Sequence, residues 1–181
     1  MKKTLNEQII CAGFGGQGIM LMGKLLAEAG MREGYCVSWL PSYGAEVRGG
    51  TAHSMVHISD NAIASPTISL PTTCIVMNKP SLAKFTGKLR KRGLLIVNTS
   101  MVDRIPQKAG VKTLKFPLTD LAADMGNVKT ANMIAVGVFT KAKKIFPLKN
   151  VLEELEKVLR LDESLIALNK KAIKLGYSLV N

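Results

Sequence analysis

The sequence predicts an α/β fold: an open, mostly parallel sheet with flanking helices and a helical C-terminal region. Three observations carry that reading. Short apolar runs rich in β formers recur at 9–12, 35–40, 74–78 and 93–98, as expected of strands buried on both faces. Helical periodicity follows the first run and dominates from Leu118 onward. Between the first strand and the first helix, Gly13, Gly15 and Gly18 have the spacing of a phosphate-cradling turn. The 181 residues suit one domain, 1–181, with a helical tail from about 118.

In chain order, Ile9 to Ala12 reads as a buried strand, and a helical period starts at Gln17. Glycine permits positive φ and close approach to an anion, and the free N–H groups of the next helix face that anion. Gly34 is a suitable helix stop. Tyr35 to Leu40 is then a second strand, completing a βαβ opening that favours a parallel sheet and a right-handed crossover. A dinucleotide site wants a carboxylate about 20 residues past the glycines. Here the second strand ends Ser38-Trp39-Leu40-Pro41, and Glu33 lies before it. NAD is disfavoured.

Pro41 to Gly50 forms a loop dense in functional groups, with Ser42, Tyr43, Glu46 and Arg48 at the carboxyl end of a strand. Ligands bind at that end in open α/β sheets. Thr51 to Ile58 reads as a strand, and Ala62 to Ser65 as a short returning one. His53 and His57, the only histidines, fall on one strand face about 13 Å apart, too far to share a metal. The strands at 74–78 and 93–98 each end in asparagine, Asn78 and Asn98, which suggests side-chain amides along the ligand edge. Asparagine also starts turns. Val111 to Phe116 reads as an edge strand closed by Pro117. Helices are expected at 118–125, 130–146, 149–161 and 163–176, the last capped by Asp162 and stopped by Gly176.

Composition narrows the function classes. The chain is 47% hydrophobic and 21% charged, as folded globular proteins are. No apolar run approaches the roughly 20 residues of a membrane span, and the N-terminus lacks an apolar signal core, so the expected location is cytoplasmic, with no membrane partner. Cys11, Cys36 and Cys74 form no CxxC pair and read as buried, reduced core thiols. Neither a metal site nor a catalytic triad or carboxylate pair is visible. A net charge of +12 fits a solvated face, an acidic partner or a phosphate-bearing cofactor. Nucleic acid is disfavoured, because aromatics are only 5% and no nucleic-acid motif accompanies the basic clusters. What remains is half a site: a glycine cradle facing a loop with Tyr43, Glu46 and Arg48.

Gly-Phe-Gly-Gly-Gln-Gly-Ile at 13–19, Leu-Pro-Ser-Tyr-Gly-Ala-Glu-Val-Arg-Gly-Gly-Thr at 40–51, Met-Asn-Lys-Pro-Ser-Leu at 77–82 and Lys-Thr-Ala-Asn-Met at 129–133 resemble the γ subunit of 2-oxoacid:ferredoxin oxidoreductases. The likeness covers nearly the whole chain and looks most like the 2-oxoglutarate type. The pattern is departed from in two places: Ala45 stands where proline is usual, and Thr72-Thr73 where an acid is common. The resemblance implies a subunit of a heteromer that oxidatively decarboxylates a 2-oxoacid to an acyl-CoA and passes electrons to ferredoxin. It implies thiamine diphosphate and iron–sulfur clusters in α, β and possibly ferredoxin-like δ subunits, and a coenzyme A site shared with this chain. The cofactor-binding candidates are Gly13, Gly15, Gly16, Gln17, Gly18, Ser42, Tyr43, Glu46, Arg48 and Asn78; no catalytic or metal residue is expected. Other readings stay open: a branched-chain, pyruvate or indolepyruvate γ subunit, a stand-alone nucleotide-binding or regulatory module, or a nucleic-acid-binding protein.

Overall fold

The computed structural model describes residues 4–42, 51–159 and 163–181. In chain order its strands are β1 (Asn6–Phe14), β2 (Cys36–Ser42), β3 (Thr51–Ser59), β4 (Thr73–Val76), β5 (Leu94–Asn98) and β6 (Lys112–Phe116). Its helices are α1 (Ile19–Arg32), α2 (Lys79–Phe85), α3 (Leu118–Asp124), α4 (Ala131–Lys143), α5 (Leu148–Leu159) and α6 (Glu163–Ser178). Short 3-10 turns leave α2 at Thr86–Lys88 and enter α4 at Val128–Thr130.

The strands form one sheet in the order β2-β3-β1-β4-β5-β6. From β1 through β4 and β5 to β6 all pairings are parallel, whereas β3 is antiparallel to both β1 and β2. The α/β expectation therefore holds. The second strand in sequence is not the neighbour of the first; β3 occupies that place and pushes β2 to the edge. The βαβ crossover skips a slot, which is filled by the strand that follows.

Alternation along the strands sorts the core into two layers. Ile9, Cys11, Ile75, Met77, Leu94 and Ile96 point to the face covered by α1 and α4, with α5 and α6 outside them. Ile10, Ala12, Cys74, Val76, Leu95 and Val97 point to the other face, under Leu82 and Phe85 of α2 and under Ile68 and Val102. Helix α1 is amphipathic, burying Ile19, Met22, Leu25, Leu26 and Ala29, and it ends where Gly34 takes a φ of +82°. Helix α4 is buried continuously from Ala131 to Thr140. Each large apolar side chain so enclosed contributes roughly 1.5–3 kcal/mol.

Three expectations change. Gly176 does not stop the last helix; it lies inside α6, which continues to Ser178. A Cβ there would overlap the Ile134 carbonyl oxygen, and one on Gly137 would overlap that of Ile173. These glycines let α4 and α6 touch backbone to backbone. Residues 62–65 form no strand: local bonds from Asn61 N–H to Ser59 Oγ and from Thr67 N–H to Ser65 Oγ hold the backbone in turns instead. Cys36 is exposed on β2, while Cys11 and Cys74 are buried as expected. The expected cap Asp162 lies outside the described residues.

Candidate functional site

The glycine turn sits where the fold places it best, at the carboxyl end of β1 in the middle of the sheet. Its side-chain geometry is tight on the protein side and open on the other. A Cβ on Gly13 would meet Ile19 Cδ1 at 2.7 Å and Met77 Cβ at 3.0 Å, so this glycine lets the strand pack under the helix. Gly18, the residue that starts α1, has φ +69° and abuts the Asn132 amide. By contrast nothing lies within 4 Å of the positions a Cβ would take on Gly15 and Gly16. Both are exposed, and Gly16 has φ +89°.

Gln17 closes the turn rather than pointing at a ligand. Its Oε1 accepts from the Phe14 N–H at 2.6 Å, and its Nε2 donates to the Met77 carbonyl at 3.4 Å. Its own N–H donates to the Phe14 carbonyl at 3.2 Å. The N–H groups of Gly15, Gly16 and Gly18 donate to no acceptor among the described residues. Asn98 completes the arrangement by donating from Nδ2 to the same Met77 carbonyl at 3.4 Å and to Thr119 Oγ1 at 2.8 Å. One carbonyl thus ties together the loops after β1, β4 and β5.

The second wall is the start of α4. Asn132 Nδ2 donates to the Gly18 carbonyl at 3.1 Å, clamping one helix start to the other. Neither α1 nor α4 has an acid in its first turn. The α1 start has no side-chain cap, whereas at α4 Asn132 Oδ1 accepts from the Met133 N–H at 2.9 Å and Asn127 Oδ1 caps the preceding 3-10 turn at the Lys129 N–H. The open first turn of α1 and its dipole favour an anion. Between the walls lies a cavity of about 200 Å³ lined by Gly16, Gln17, Met77, Met101, Thr119, Val128, Lys129 and Ala131. Lys129 brings the only formal charge among these lining residues and makes no ion pair among the described residues. Val128 is 54% exposed and Met101 40%, so the mouth is apolar, with the exposed Lys129 beside it.

The remaining candidates separate. Ser42 is half-buried at the end of β2, in register with His53, which pairs with Ala12. It lies on the same sheet edge as the turn, two strands or about 10 Å across. Tyr43, Glu46 and Arg48 lie outside the described residues. Asn78 is fully buried; its Oδ1 accepts from the Ser81 N–H at 2.9 Å and caps α2. Asn98 is thus engaged at both ends of its amide, whereas Asn78 caps α2 with its oxygen and leaves its buried Nδ2 without a partner among the described residues. Glu33, at the end of α1, accepts from the Asn150 amide, and β3 fills the slot from which a dinucleotide-binding carboxylate would reach.

Sequence reasoning passed over Met101, Thr119, Val128 and Lys129 as site residues. The signal available was a helix start, Lys129-Thr130-Ala131, with neither acid nor capping box.

Other reactive groups are not poised for chemistry. Burial raises the thiol pKa of both Cys11 and Cys74, the latter to about 12, so both stay protonated and inert. His53 packs against Phe85 with ring centroids 5.1 Å apart and the rings tilted by 50°. Burial, then Lys84 and Lys88, hold its pKa below the usual value. Among the described residues no group of three or more His, Cys, Asp or Glu converges, and no helix is long and apolar enough to cross a membrane.

A glycine turn at a sheet centre is common to many α/β proteins, but its combination with the rest of the chain is not. The profile of the family described as pyruvate ferredoxin/flavodoxin oxidoreductase matches residues 8–179. The chain belongs to this family. Its relatives within the pyruvate ferredoxin/flavodoxin oxidoreductases carry several substrate names. It is 31% identical over 159 residues to 2-oxoglutarate synthase subunit KorC of Methanothermobacter thermautotrophicus, covering 84% of each chain. It is 38% identical over 127 residues to ketoisovalerate oxidoreductase subunit VorA of Methanothermobacter marburgensis, covering 70% of this chain but spanning only 26% of VorA. The crystal structure of a keto/oxoacid ferredoxin oxidoreductase γ subunit from Geobacter sulfurreducens superimposes with a TM-score of 0.82 at 26% identity, covering 95% of this chain and 96% of that one. A 2-oxoglutarate:ferredoxin oxidoreductase from Magnetococcus marinus, solved with 2-oxoglutarate, coenzyme A and succinyl-CoA bound, shares the fold at TM-score 0.86 and 24% identity, with 96% of this chain matching 31% of that one.

Proposed function

We propose that this chain is the γ subunit of a heteromeric 2-oxoacid:ferredoxin oxidoreductase and contributes the phosphate-binding part of its coenzyme A site. The observation that carries the reading is the open side of the glycine turn. Gly15, Gly16 and Gly18 offer unengaged N–H groups, the uncapped start of α1 opens there, and Lys129 supplies a positive charge. The ligand suggested is one with a polyphosphate and an apolar arm, because the apolar mouth at Met101 and Val128 adjoins the cradle. In this reading Arg48 assists at the phosphates, and Ser42, Tyr43 and Glu46 contribute further contacts to the same ligand.

In this reading the chain's residues bind and orient coenzyme A, while the chemistry is done on other chains. Thiamine diphosphate supplies the decarboxylation and iron–sulfur clusters the electron transfer to ferredoxin, both held by α, β and δ-type partners. The cysteines of this chain fit that division: Cys11 and Cys74 face opposite sides of the sheet, and Cys36 lies at its edge.

Gly15→Leu is the direct test. Its Cβ position is open, and its φ lies outside the positive region, so the fold tolerates the side chain while the cradle is filled. In the assembled complex the KM for coenzyme A rises and that for the 2-oxoacid does not. An unchanged KM for coenzyme A rejects the assignment.

The 2-oxoglutarate type is the reading favoured by the KorC relatives, which this chain matches along most of their length. The higher identity to VorA supports a branched-chain substrate as the second reading. Coenzyme A-dependent viologen reduction with 2-oxoglutarate, 2-oxoisovalerate, pyruvate and indolepyruvate distinguishes them.

A further inference from the structure

Among the described residues only two other than glycine have positive φ: Arg92 at 62° and Lys144 at 53°. Both are cations. Both lie at the end of the sheet opposite the glycine turn, where the parallel strands begin. Arg92 borders a concavity of about 500 Å³ with Arg90, Lys91 and Lys143. Lys144 borders an adjoining one of about 380 Å³ that shares Lys143 with the first. A left-handed backbone costs a residue with a side chain roughly 1–2 kcal/mol, and glycine avoids that strain. The dipole at the end of α4 accounts for a cation at Lys144, its last cap. It does not account for Arg92, which sits in the turn before β5. The rim holds cations where the backbone favours glycine.

The floor of the rim limits what can bind. Its buried polar side chain is Glu7, 5% exposed, which accepts from Lys143 Nζ at 2.7 Å and from Thr73 Oγ1 at 2.5 Å. A small phosphate seated in the floor would face that carboxylate. Arg90 is tethered to Gln8 Oε1 at 3.2 Å, whereas Lys91, Arg92 and Lys144 make no ion pair among the described residues. The free positive charge is therefore spread along a broad rim and is absent from the floor; the one exposed carboxylate bordering it, Asp60, accepts from the Leu5 N–H at 2.5 Å. Single-stranded nucleic acid would use stacked aromatics, and Tyr35 is the one aromatic residue lining the two concavities.

We propose that this rim is a docking surface for an acidic protein, bound reversibly through its carboxylates. Reversibility follows from the character of the surface: charged rims set encounter rate and specificity, whereas permanent interfaces are more apolar.

The native complex purified through this chain is titrated with labelled poly-L-glutamate, comparing the parent with the Arg92→Gly/Lys144→Gly double variant. Glycine removes both strained conformations, so the variant retains its fold. Arg92→Asn/Lys144→Asn is a second pair, because asparagine tolerates the left-handed region. The expected result is binding that falls with salt and weakens about tenfold in both double variants, a difference of about 1.4 kcal/mol. Lys174→Ala on α6 leaves binding unchanged. Unaltered binding in both double variants overturns the proposal. So does displacement of the polymer by millimolar inorganic phosphate, or a single-stranded oligonucleotide binding more tightly than poly-L-glutamate at the same salt.

Discussion

Gln17 uses both ends of its amide to close the glycine turn, so its replacement separates the turn's structural role from its electrostatic one. Alanine removes the acceptor of the Phe14 N–H, bonded at 2.6 Å, and one of two donors to the Met77 carbonyl, at 3.4 Å. An unmet, partly buried N–H costs about 1–3 kcal/mol. The Met77 carbonyl keeps its bond from Asn98, so the second loss adds little. Gln17→Ala should therefore destabilise the chain by about 1–2 kcal/mol in urea unfolding. Glutamate keeps the acceptor but places a negative charge under the cradle. With an effective dielectric of about 20 and a phosphate charge about 7 Å away, the repulsion is about 2 kcal/mol, or about thirtyfold in the KM for coenzyme A. Glutamate should thus be the weaker binder of the two, and it also loses stability, because its second oxygen faces the Met77 carbonyl where the Nε2 donor stood. Tighter coenzyme A binding by the glutamate variant than by the alanine variant refutes the reasoning, as does full stability of Gln17→Ala.

Two further expectations test the packing and the titratable strand. Gly176→Ala should lower stability by about 1–3 kcal/mol in thermal unfolding, although alanine is the better helix former by about 1 kcal/mol. Its Cβ would overlap the Ile134 carbonyl, and a raised melting temperature would contradict the contact between α4 and α6. For His53, burial and then Lys84 and Lys88 hold the folded pKa below its ordinary value of 6.5. Unfolding then takes up a proton, so stability is full at higher pH and is lost as pH falls through about 6.5. His57 shifts in the same direction, so His53→Gln should flatten only part of that slope. Equal slopes in parent and variant between about pH 7.5 and 5.5 sink this account.

Much of the fold was legible in the sequence, because burial on two faces leaves a local mark. The apolar runs located β1, β4 and β5, and a closing proline located β6. Strand order was not legible. The βαβ pattern over 9–40 does not say which strand lies beside β1, and it is β3 that pairs there, from Asn6↔Ser59 to Phe14↔Thr51. Pairing partners are chosen by non-local fit, which periodicity does not encode. The same limit explains Gly176: a glycine near a helix end obeys a local stop rule until another helix must touch it. It explains Asn78 as well, since capping a helix and contacting a ligand call for the same side chain at the same strand end.

The glycine turn shows the division most clearly. The sequence by itself determined that Gly13 to Gly18 joins a buried strand to a helix and can receive an anion, because those requirements are local: positive φ, missing side chains and a free helix start. Only the tertiary structure decided which of its members face outward. It assigned Gly13 and Gly18 to close packing, gave Gln17's amide to the turn itself, and left Gly15 and Gly16 open. It also supplied the opposite wall, with Asn132 gripping the Gly18 carbonyl across 114 residues and Lys129 beside it. A contact at that separation leaves no periodic trace in the chain; it exists because α4 and α1 lie on the same face of the sheet.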